Sequence, residues 1–229
     1  MPIAAVARDA GRERVLVLPR EAAIPGPAWH GLRLGGVTEL LARVRSQGEF
    51  RPRAEVESLP EWQQIIPHMV VRGDSGVLAM RRLKGGSERR LRGQISLGVG
   101  GHINSGDGDR SQCWERGCLR EWSEEVICDT ALTGRPLGLL KDDSGAVGQV
   151  HLGVLIVVRA DGGRVSLREV EKSSGAMTSL ADLGVSYLEM ETWSQYVYDA
   201  LLEGALEGDC PPSLELRLPA SPGRGPEHC

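Results

Sequence analysis

Three glutamates lie close together in the middle of the chain. In the segment REWSEE at residues 120–125, the carboxylates of Glu121, Glu124 and Glu125 share one face of a helix that turns about 100° per residue. Like charges at these spacings repel, so the face gains stability when a cation binds among them. Hard oxygen ligands at this density suit Mg²⁺ or Mn²⁺, which complete their coordination with water and phosphate oxygens. The alternative interpretation is a solvated acidic helix face.

The neighbouring residues give this face a setting. Cys118, Leu119 and Trp122 lie on an adjacent arc of the same helix, so an apolar stripe runs beside the carboxylates. Upstream, residues 94–97 alternate as a strand does and lead into the segment LGVGG at 97–101, the glycine loop. Arg120 is expected to orient a glutamate or to meet a phosphate.

These segments resemble the motif of the Nudix hydrolases, G-x5-E-x7-R-E-U-x-E-E-x-G-U, in which U is a bulky apolar residue. Residues 120–125 match its central part, and Gly100-Gly101 resembles the paired glycines that open it. PREAA at 19–23, WQQIIPHMVVR at 62–72 and LGVGGHIN at 97–104 resemble a bacterial Nudix subgroup described as predicted phosphoesterases. The resemblance extends from Arg12 to Glu207.

The chain departs from this motif in two places. Counting forward from Gly101 puts Asp107 where the first motif glutamate belongs, whereas counting back from Arg120 puts Gln112 there, so the loop is five residues longer. Ile127 replaces the glycine that follows the paired glutamates. The first departure concerns an auxiliary metal ligand, and the second concerns how the helix ends.

The resemblance implies a fold and a chemistry. The fold is α+β, a Nudix-like α/β/α sandwich with a mixed sheet, and strands on both sides of a single acidic helix indicate the same class. The chemistry is hydrolysis of a phosphoanhydride, with Mg²⁺ or Mn²⁺ held by the helical glutamates and Gly101. The base is one of those glutamates or a later acid, Glu169 or Glu171, and Asp107 or Glu169 is a candidate auxiliary acid. The expected catalytic residues are Arg120, Glu121, Glu124 and Glu125.

A basic stretch precedes the glycine loop. Arg89 and Arg92 lie nearest to the loop within that stretch, and His102 follows the loop directly. Beside an acidic metal site these side chains are expected to bind substrate phosphates, because a diphosphate needs cations beyond the metal. A solvated basic loop and a hydrogen-bonded structural histidine are the alternatives.

Composition narrows the class of protein. The chain has 229 residues, of which 25% are charged and 41% hydrophobic, as is usual for a globular protein that needs no disulfides. Its formal net charge of -4 argues against general nucleic-acid binding. Five cysteines without a C-x-x-C pair, and no signal peptide or apolar span, predict reduced thiols in the cytoplasm.

Three parts are predicted along the chain. Residues 1–66 form an N-terminal extension packed on the core, because no long Ser/Gly linker separates the two. Residues 67–207 form the Nudix-like hydrolase domain, and residues 208–229, rich in Pro, Gly and Ser, form a disordered tail. The apolar stripe that begins at Trp193 is interpreted as helix core rather than as a cofactor site.

The function favoured by these features is divalent-metal-dependent hydrolysis of a nucleoside diphosphate linked to another group. The alternative is a Nudix-fold protein that binds a nucleotide or regulates through it without hydrolysis, which the replaced motif glutamate and the longer loop favour. The expected partner is a nucleotide-like small molecule, with no nucleic acid and no membrane. The sequence leaves a homodimer open and does not identify the substrate.

Overall fold

The computed structural model describes residues 13–82, 93–168 and 173–222, with the backbone alone at Arg82 and Ser173. Its strands are β1 Arg14–Pro19, β2 Gly31–Leu34, β3 Glu49–Pro52, β4 Trp62–Gly73, β5 Gly76–Arg82, β6 Ile95–Ser96, β7 Val126–Cys128, β8 Leu132–Lys141, β9 His151–Arg159, β10 Val165–Leu167, β11 Ser173–Thr178 and β12 Leu216–Leu218. Its helices are α1 Arg20–Ala23, α2 Val37–Gln47, α3 Arg53–Val56, α4 Cys113–Glu125, α5 Ala146–Val150, α6 Leu180–Val185 and α7 Thr192–Leu202.

The described strands build one large mixed sheet. Its central path runs β11-β5-β4-β9-β8-β12, β1, β2, β3 and β6 join it off this path, and β7 pairs with β10 in a small separate sheet. β4 and β9 are parallel, whereas β8 is antiparallel to β9. Parallel strands need a long connection, and here that connection contains the glycine loop, α4 and β8. The predicted α+β class with a mixed sheet is confirmed.

Helices cover both faces of the sheet. Successive side chains of a strand point to opposite faces, and in β9 Leu152 and Val154 pack with α2 and α4 while Leu155 and Val157 pack with α7. Burial on both faces explains why β9 is almost continuously apolar. Within the described ranges, no helix is long and apolar enough to cross a membrane.

The N-terminal part is continuous with this sheet. β1 pairs with β3 and also with the first residues of β4. β4 itself runs across residue 66, where the sequence analysis placed the end of the extension. α2 packs Val37, Leu40 and Val44 into the core at helical spacing. The extension therefore contributes strands and core residues to the layer that carries the site.

Residues 208–222 differ from the predicted disordered tail. β12 pairs antiparallel with β8, and Leu216 and Leu218 are buried, with 3% and 0% exposure. The indole Nε1 of Trp122 donates a hydrogen bond of 3.2 Å to the carbonyl oxygen of Pro219. The Pro, Gly and Ser content suggested disorder, but it surrounds an alternating segment, LELRL at 214–218, whose apolar residues complete the core. The remaining residues of the predicted tail, 223–229, lie outside the described part of the chain.

Candidate active site

The acidic helix α4 buries its apolar stripe and brings two of its carboxylates, those of Glu121 and Glu125, against the glycine loop. Trp122 is 1% exposed, and the side chain of Glu121 beside it is 6% exposed. The Glu124 side chain is 40% exposed. Glu125 Oε2 accepts a hydrogen bond of 2.8 Å from the backbone N–H of Gly100. The three carboxylates therefore lie at the edge of the core, graded from buried to half-exposed.

Arg120 is the cation that holds this cluster together. Its Nη1 donates to Glu121 Oε1 at 2.6 Å and to Glu124 Oε2 at 3.3 Å, and its Nη2 donates to the His102 carbonyl oxygen at 2.7 Å. Burial alone would lower the pKa of Arg120, but the hydrogen bonds and charges of Asp107 and Glu121 outweigh it and raise that pKa. Arg120 is thus a permanent charge that orients two of the glutamates.

Asp107 forms a bidentate pair with Arg120. Its Oδ1 accepts from Arg120 Nε at 2.7 Å, and its Oδ2 accepts from Nη2 at 2.8 Å. The same Oδ2 accepts from the backbone N–H of Asn104 at 2.7 Å, across a short 3-10 turn at Ser105–Asp107. A Cβ atom at Gly117 would lie 3.1 Å from Asp107 Oδ2. The structure therefore brings Asp107 to Arg120, and residues 108–112 connect Asp107 to the start of α4.

The glycine loop approaches the carboxylates with its backbone. A Cβ atom at Gly101 would lie 2.9 Å from Glu121 Oε2. Gly100 has φ of 136°, and a Cβ atom there would lie 2.1 Å from the carbonyl oxygen of Pro67. Only glycine has no Cβ and adopts this backbone conformation readily. The two glycines thus let the loop lie directly between the acidic helix and β4.

The donor atoms at this place fit a hard divalent cation in type. The Glu121 carboxylate lies beside Gly101, Glu125 bonds to the backbone N–H of Gly100, and Glu124 contacts Arg120 on the same helix. Carboxylate and carbonyl groups both offer oxygen ligands. As they stand, the described residues contain no group of three or more His, Cys, Asp or Glu side chains arranged to hold a metal. Arg120 donates hydrogen bonds to Glu121 and Glu124, so a metal bound by Glu124 would have to compete with Arg120 for this half-exposed side chain.

Two histidines join the acidic site to the neighbouring strand. His102 Nε2 and His151 Nε2 are 3.3 Å apart, and His151 Nδ1 lies 2.7 Å from the carbonyl oxygen of Val147. A carbonyl oxygen can only accept, so His151 donates from Nδ1, and in the neutral form of the ring its Nε2 would accept from His102. His102, predicted to bind a substrate phosphate, is therefore placed beside the glycine loop and hydrogen-bonded to β9.

A cavity of about 390 Å³ opens beside the glycine loop. Gly100 and Gly101 line it on one side, and Trp193, His68 and Val147 line it elsewhere. The rings of His68 and Trp193 meet edge to face, with centroids 5.7 Å apart. The cavity therefore combines a mostly apolar surface with polar side chains, among them Asp142 and Glu191, and the loop that contacts Glu121 and Glu125 also lines it.

Trp193 packs against the core, as predicted for the stripe of α7, and it also lines the cavity. Its ring lies against β9, where a Cβ atom at Gly153 would be 2.8 Å from it. Gly153 is the signal that was available, because a glycine inside an otherwise apolar strand often marks a close approach. Three other predicted site residues, Arg89, Arg92 and Glu169, lie outside the described residues, as does Glu171.

The cysteines of the acidic helix do not add a nucleophile. Cys113 and Cys118 are free thiols and both are fully buried. Burial raises the pKa of Cys113 to about 11 and the pKa of Cys118 well above its ordinary value. Both side chains are therefore protonated at neutral pH and serve as small apolar core residues.

No protein-family model matches the chain. The chain is similar to Protein YmaB of Bacillus subtilis (strain 168), with 33% identity over 174 residues that cover 72% of this chain and 84% of YmaB. Its structure is similar to that of Tm1382, described as a candidate Nudix hydrolase. That match has a TM-score of 0.72 and 28% identity, and it covers 83% of this chain and 99% of Tm1382.

A more distant structural match is the Nudix domain of Shewanella oneidensis NrtR, in a complex with ADP ribose. It has a TM-score of 0.39 and 18% identity, covering 63% of this chain and 87% of that one, and it carries no argument about the substrate. The near-complete match to Tm1382 agrees with the acidic helix, the glycine loop and the mixed sheet. The chain belongs to the Nudix hydrolase superfamily.

Proposed function

We propose that the protein is a divalent-metal-dependent hydrolase that cleaves a phosphoanhydride bond in a nucleoside diphosphate linked to another group. The observation that carries this proposal is the contact between the acidic helix and the glycine loop. Glu125 accepts a hydrogen bond from Gly100, and Glu121 lies against Gly101. Both glycines line the cavity of about 390 Å³, a size within the range that takes small-molecule ligands.

The acidic helix and the cavity would have separate roles, the first in metal binding and the second in substrate binding. Glu121, Glu124, Glu125 and Gly101 would hold Mg²⁺ or Mn²⁺, which when bound offsets phosphate charge and activates a water. Arg120 orients the carboxylates through the contacts described above. The cavity, with Trp193 as its aromatic surface, would receive the group linked to the diphosphate. Arg89, Arg92 and His102 stay candidate phosphate ligands, and the base is one of the acids of the site.

A nucleotide-binding protein without hydrolysis is the second candidate. The observation that favours it is the geometry of Arg120, whose guanidinium takes one oxygen each of Glu121 and Glu124 and both oxygens of Asp107. Asp107 is thereby committed to an ion pair rather than exposed as a further acid. Two of the helical carboxylates must then leave their arginine contacts before they can act on a metal.

The test is a screen of nucleoside diphosphate derivatives, ADP-ribose among them, with Mg²⁺ and with Mn²⁺, measuring product release. Glu125→Gln removes one charge and nearly keeps the shape of the side chain. We expect turnover to fall roughly a thousandfold while nucleotide affinity changes little, because a metal ligand acts mainly where charge develops in the transition state. Glu115→Gln is the matched control, since Glu115 is exposed on the same helix and outside the site.

A second readout does not depend on turnover. A cation that binds only the folded protein, at about 100-fold over its dissociation constant, adds about 2.7 kcal/mol of stability. The melting temperature should therefore rise with Mg²⁺ or Mn²⁺ in the wild type and not in Glu124→Gln/Glu125→Gln. If the wild type binds a nucleotide tightly yet releases no product with either metal, the binding-protein function replaces the hydrolase.

A further inference from the structure

One side of the cavity is a short connecting segment, residues 142–150 between β8 and β9, which we call the cavity wall. Asp142 and residues 144–148 line the cavity. Residues 144–146 are exposed and small, being Ser, Gly and Ala. Val150 anchors the end of the segment in the core, whereas residues 144–146 bury little apolar surface of their own, so polar contacts must hold this exposed part in one conformation.

The first of these contacts comes from a buried lysine. The Lys141 side chain is 0% exposed, and its Nζ forms an ion pair of 2.9 Å with Asp143 Oδ1. The same Nζ donates to the carbonyl oxygens of Gly148 and, at 3.0 Å, His151, and to Gln63 Oε1 at 2.7 Å. Burial lowers the pKa of Lys141, and the hydrogen bond with Asp143 opposes this effect. One ammonium group therefore ties both ends of the cavity wall to β4.

Further contacts come from the N-terminal part of the chain. Arg20 Nη2 forms an ion pair with Asp143 Oδ2, and Arg20 Nη1 lies 3.4 Å from the carbonyl oxygen of Gln149. That carbonyl also accepts a hydrogen bond of 2.8 Å from Gln63 Nε2. Arg20 and Gln63 belong to the segments PREAA and WQQIIPHMVVR, neither of which touches the acidic helix through these residues. Their shared target is the cavity wall.

We propose that Arg20, Gln63 and Lys141 are positioning residues, which hold the cavity wall in the conformation that receives the group linked to the diphosphate. The inference rests on the proposed function for the identity of the ligand. A buried cation costs desolvation energy that an apolar residue would avoid. The ammonium group of Lys141 has four partners, three of which lie in or directly after the cavity wall. Its charge therefore specifies the shape of the pocket.

The test compares two arginines of the N-terminal part. Arg20 is 31% exposed and pairs with the cavity wall, whereas Arg53 is 19% exposed and pairs with Glu13 and Glu57, neither of which lines the cavity. For the substrate with the lowest KM in the screen, Arg20→Met should raise KM about tenfold with kcat changed less than about threefold, the pattern of lost binding. Arg53→Met should leave KM within about twofold, and Arg20→Lys should recover part of the loss.

Hydrogen exchange supplies a readout that needs no substrate. The amides of residues 144–148 should exchange about tenfold faster in Arg20→Met than in Arg53→Met or the wild type. Equal exchange in the two variants, or faster exchange without any change in KM, would overturn the inference. If the wild type turns over nothing in the screen, the proposed function fails, and the exchange experiment still decides whether Arg20 positions the wall.

Discussion

The acidic helix and the cavity wall compensate charge in opposite ways. In the acidic helix one cation, Arg120, is shared by three carboxylates, those of Asp107, Glu121 and Glu124. In the cavity wall one carboxylate, Asp143, is shared by two cations. The carboxylates around the acidic helix therefore outnumber their cation, whereas the two cations at the cavity wall are paired with nearby oxygen atoms.

This difference indicates what each region can do. The acidic helix keeps more carboxylates than Arg120 can neutralise, so it can accept a further cation from solvent. Arg20 and Lys141, the two cations that contact the cavity wall, already bind Asp143 and the carbonyl oxygens of Gly148, His151 and Gln149. They therefore fix a segment of backbone. The first region has the charge to take up a further cation, as the proposed function requires, and the second holds a segment of backbone in place.

The largest predicted effect comes from removing Arg120, the cation that the carboxylates of the acidic helix share. Arg120→Met leaves Asp107 and Glu121, whose side chains are 5% and 6% exposed, without their cation. Breaking a buried pair in this way costs about 3 to 5 kcal/mol of unfolding free energy, measured by urea unfolding. The control is Arg164→Met, whose side chain is 94% exposed and pairs with Asp129, and which should cost less than about 1 kcal/mol. Equal losses in the two variants would show that the acidic helix does not depend on Arg120.

The two regions also differ in how far the sequence could reveal them. The acidic helix follows from spacing alone, because residues 120–125 lie within two turns and repeat with the helical period. The pairing of Arg20 with Asp143 spans 123 positions, and no local pattern carries it. Strand β9 was predictable from its nearly continuous apolar residues, and the mixed sheet was predicted from strands on both sides of a single acidic helix and from the Nudix resemblance.

One error has a distant physical cause. Composition predicted a disordered tail at residues 208–222, but the decisive contact is the pairing of β12 with β8. Trp193 packs against the core as its helical stripe predicted, and its additional place beside the cavity depends on a distant contact with Gly153. Tertiary pairing overrides local composition when a short segment completes a surface made elsewhere.

The second prediction tests whether the packing of the acidic helix depends on β12, which is distant in the sequence. β12 packs against α4 and β8, and Leu218 is 0% exposed. Leu218→Ala should lower the unfolding free energy by about 2 to 3 kcal/mol, through lost burial and a cavity behind the helix. Leu202→Ala is the control, because Leu202 is 59% exposed and should change stability by less than about 0.5 kcal/mol. A loss no larger than that of Leu202→Ala would indicate that residues 208–222 are dispensable for stability.

The smallest predicted effect concerns the cavity wall, where the ion pairs of Asp143 make stability depend on pH. Burial alone would raise the pKa of Asp143, but the hydrogen bonds from Arg20 and Lys141 outweigh it and hold that pKa below its ordinary value. A carboxyl group with a lowered folded pKa contributes stability above its unfolded pKa of about 3.9, and that stability is lost as pH falls through the folded value.

Arg20→Met removes one of the two cations that lower the pKa of Asp143. The variant should therefore lose less unfolding free energy than the wild type between pH 7 and pH 3, by up to about 1 kcal/mol for a partly exposed pair. Urea unfolding at the two pH values measures this difference, and Arg20→Lys, which keeps a cation, should follow the wild type more closely. Equal pH dependence in wild type and Arg20→Met would mean that Lys141 alone sets the charge of Asp143, and the cavity wall would then be held from the core rather than from the N-terminal part.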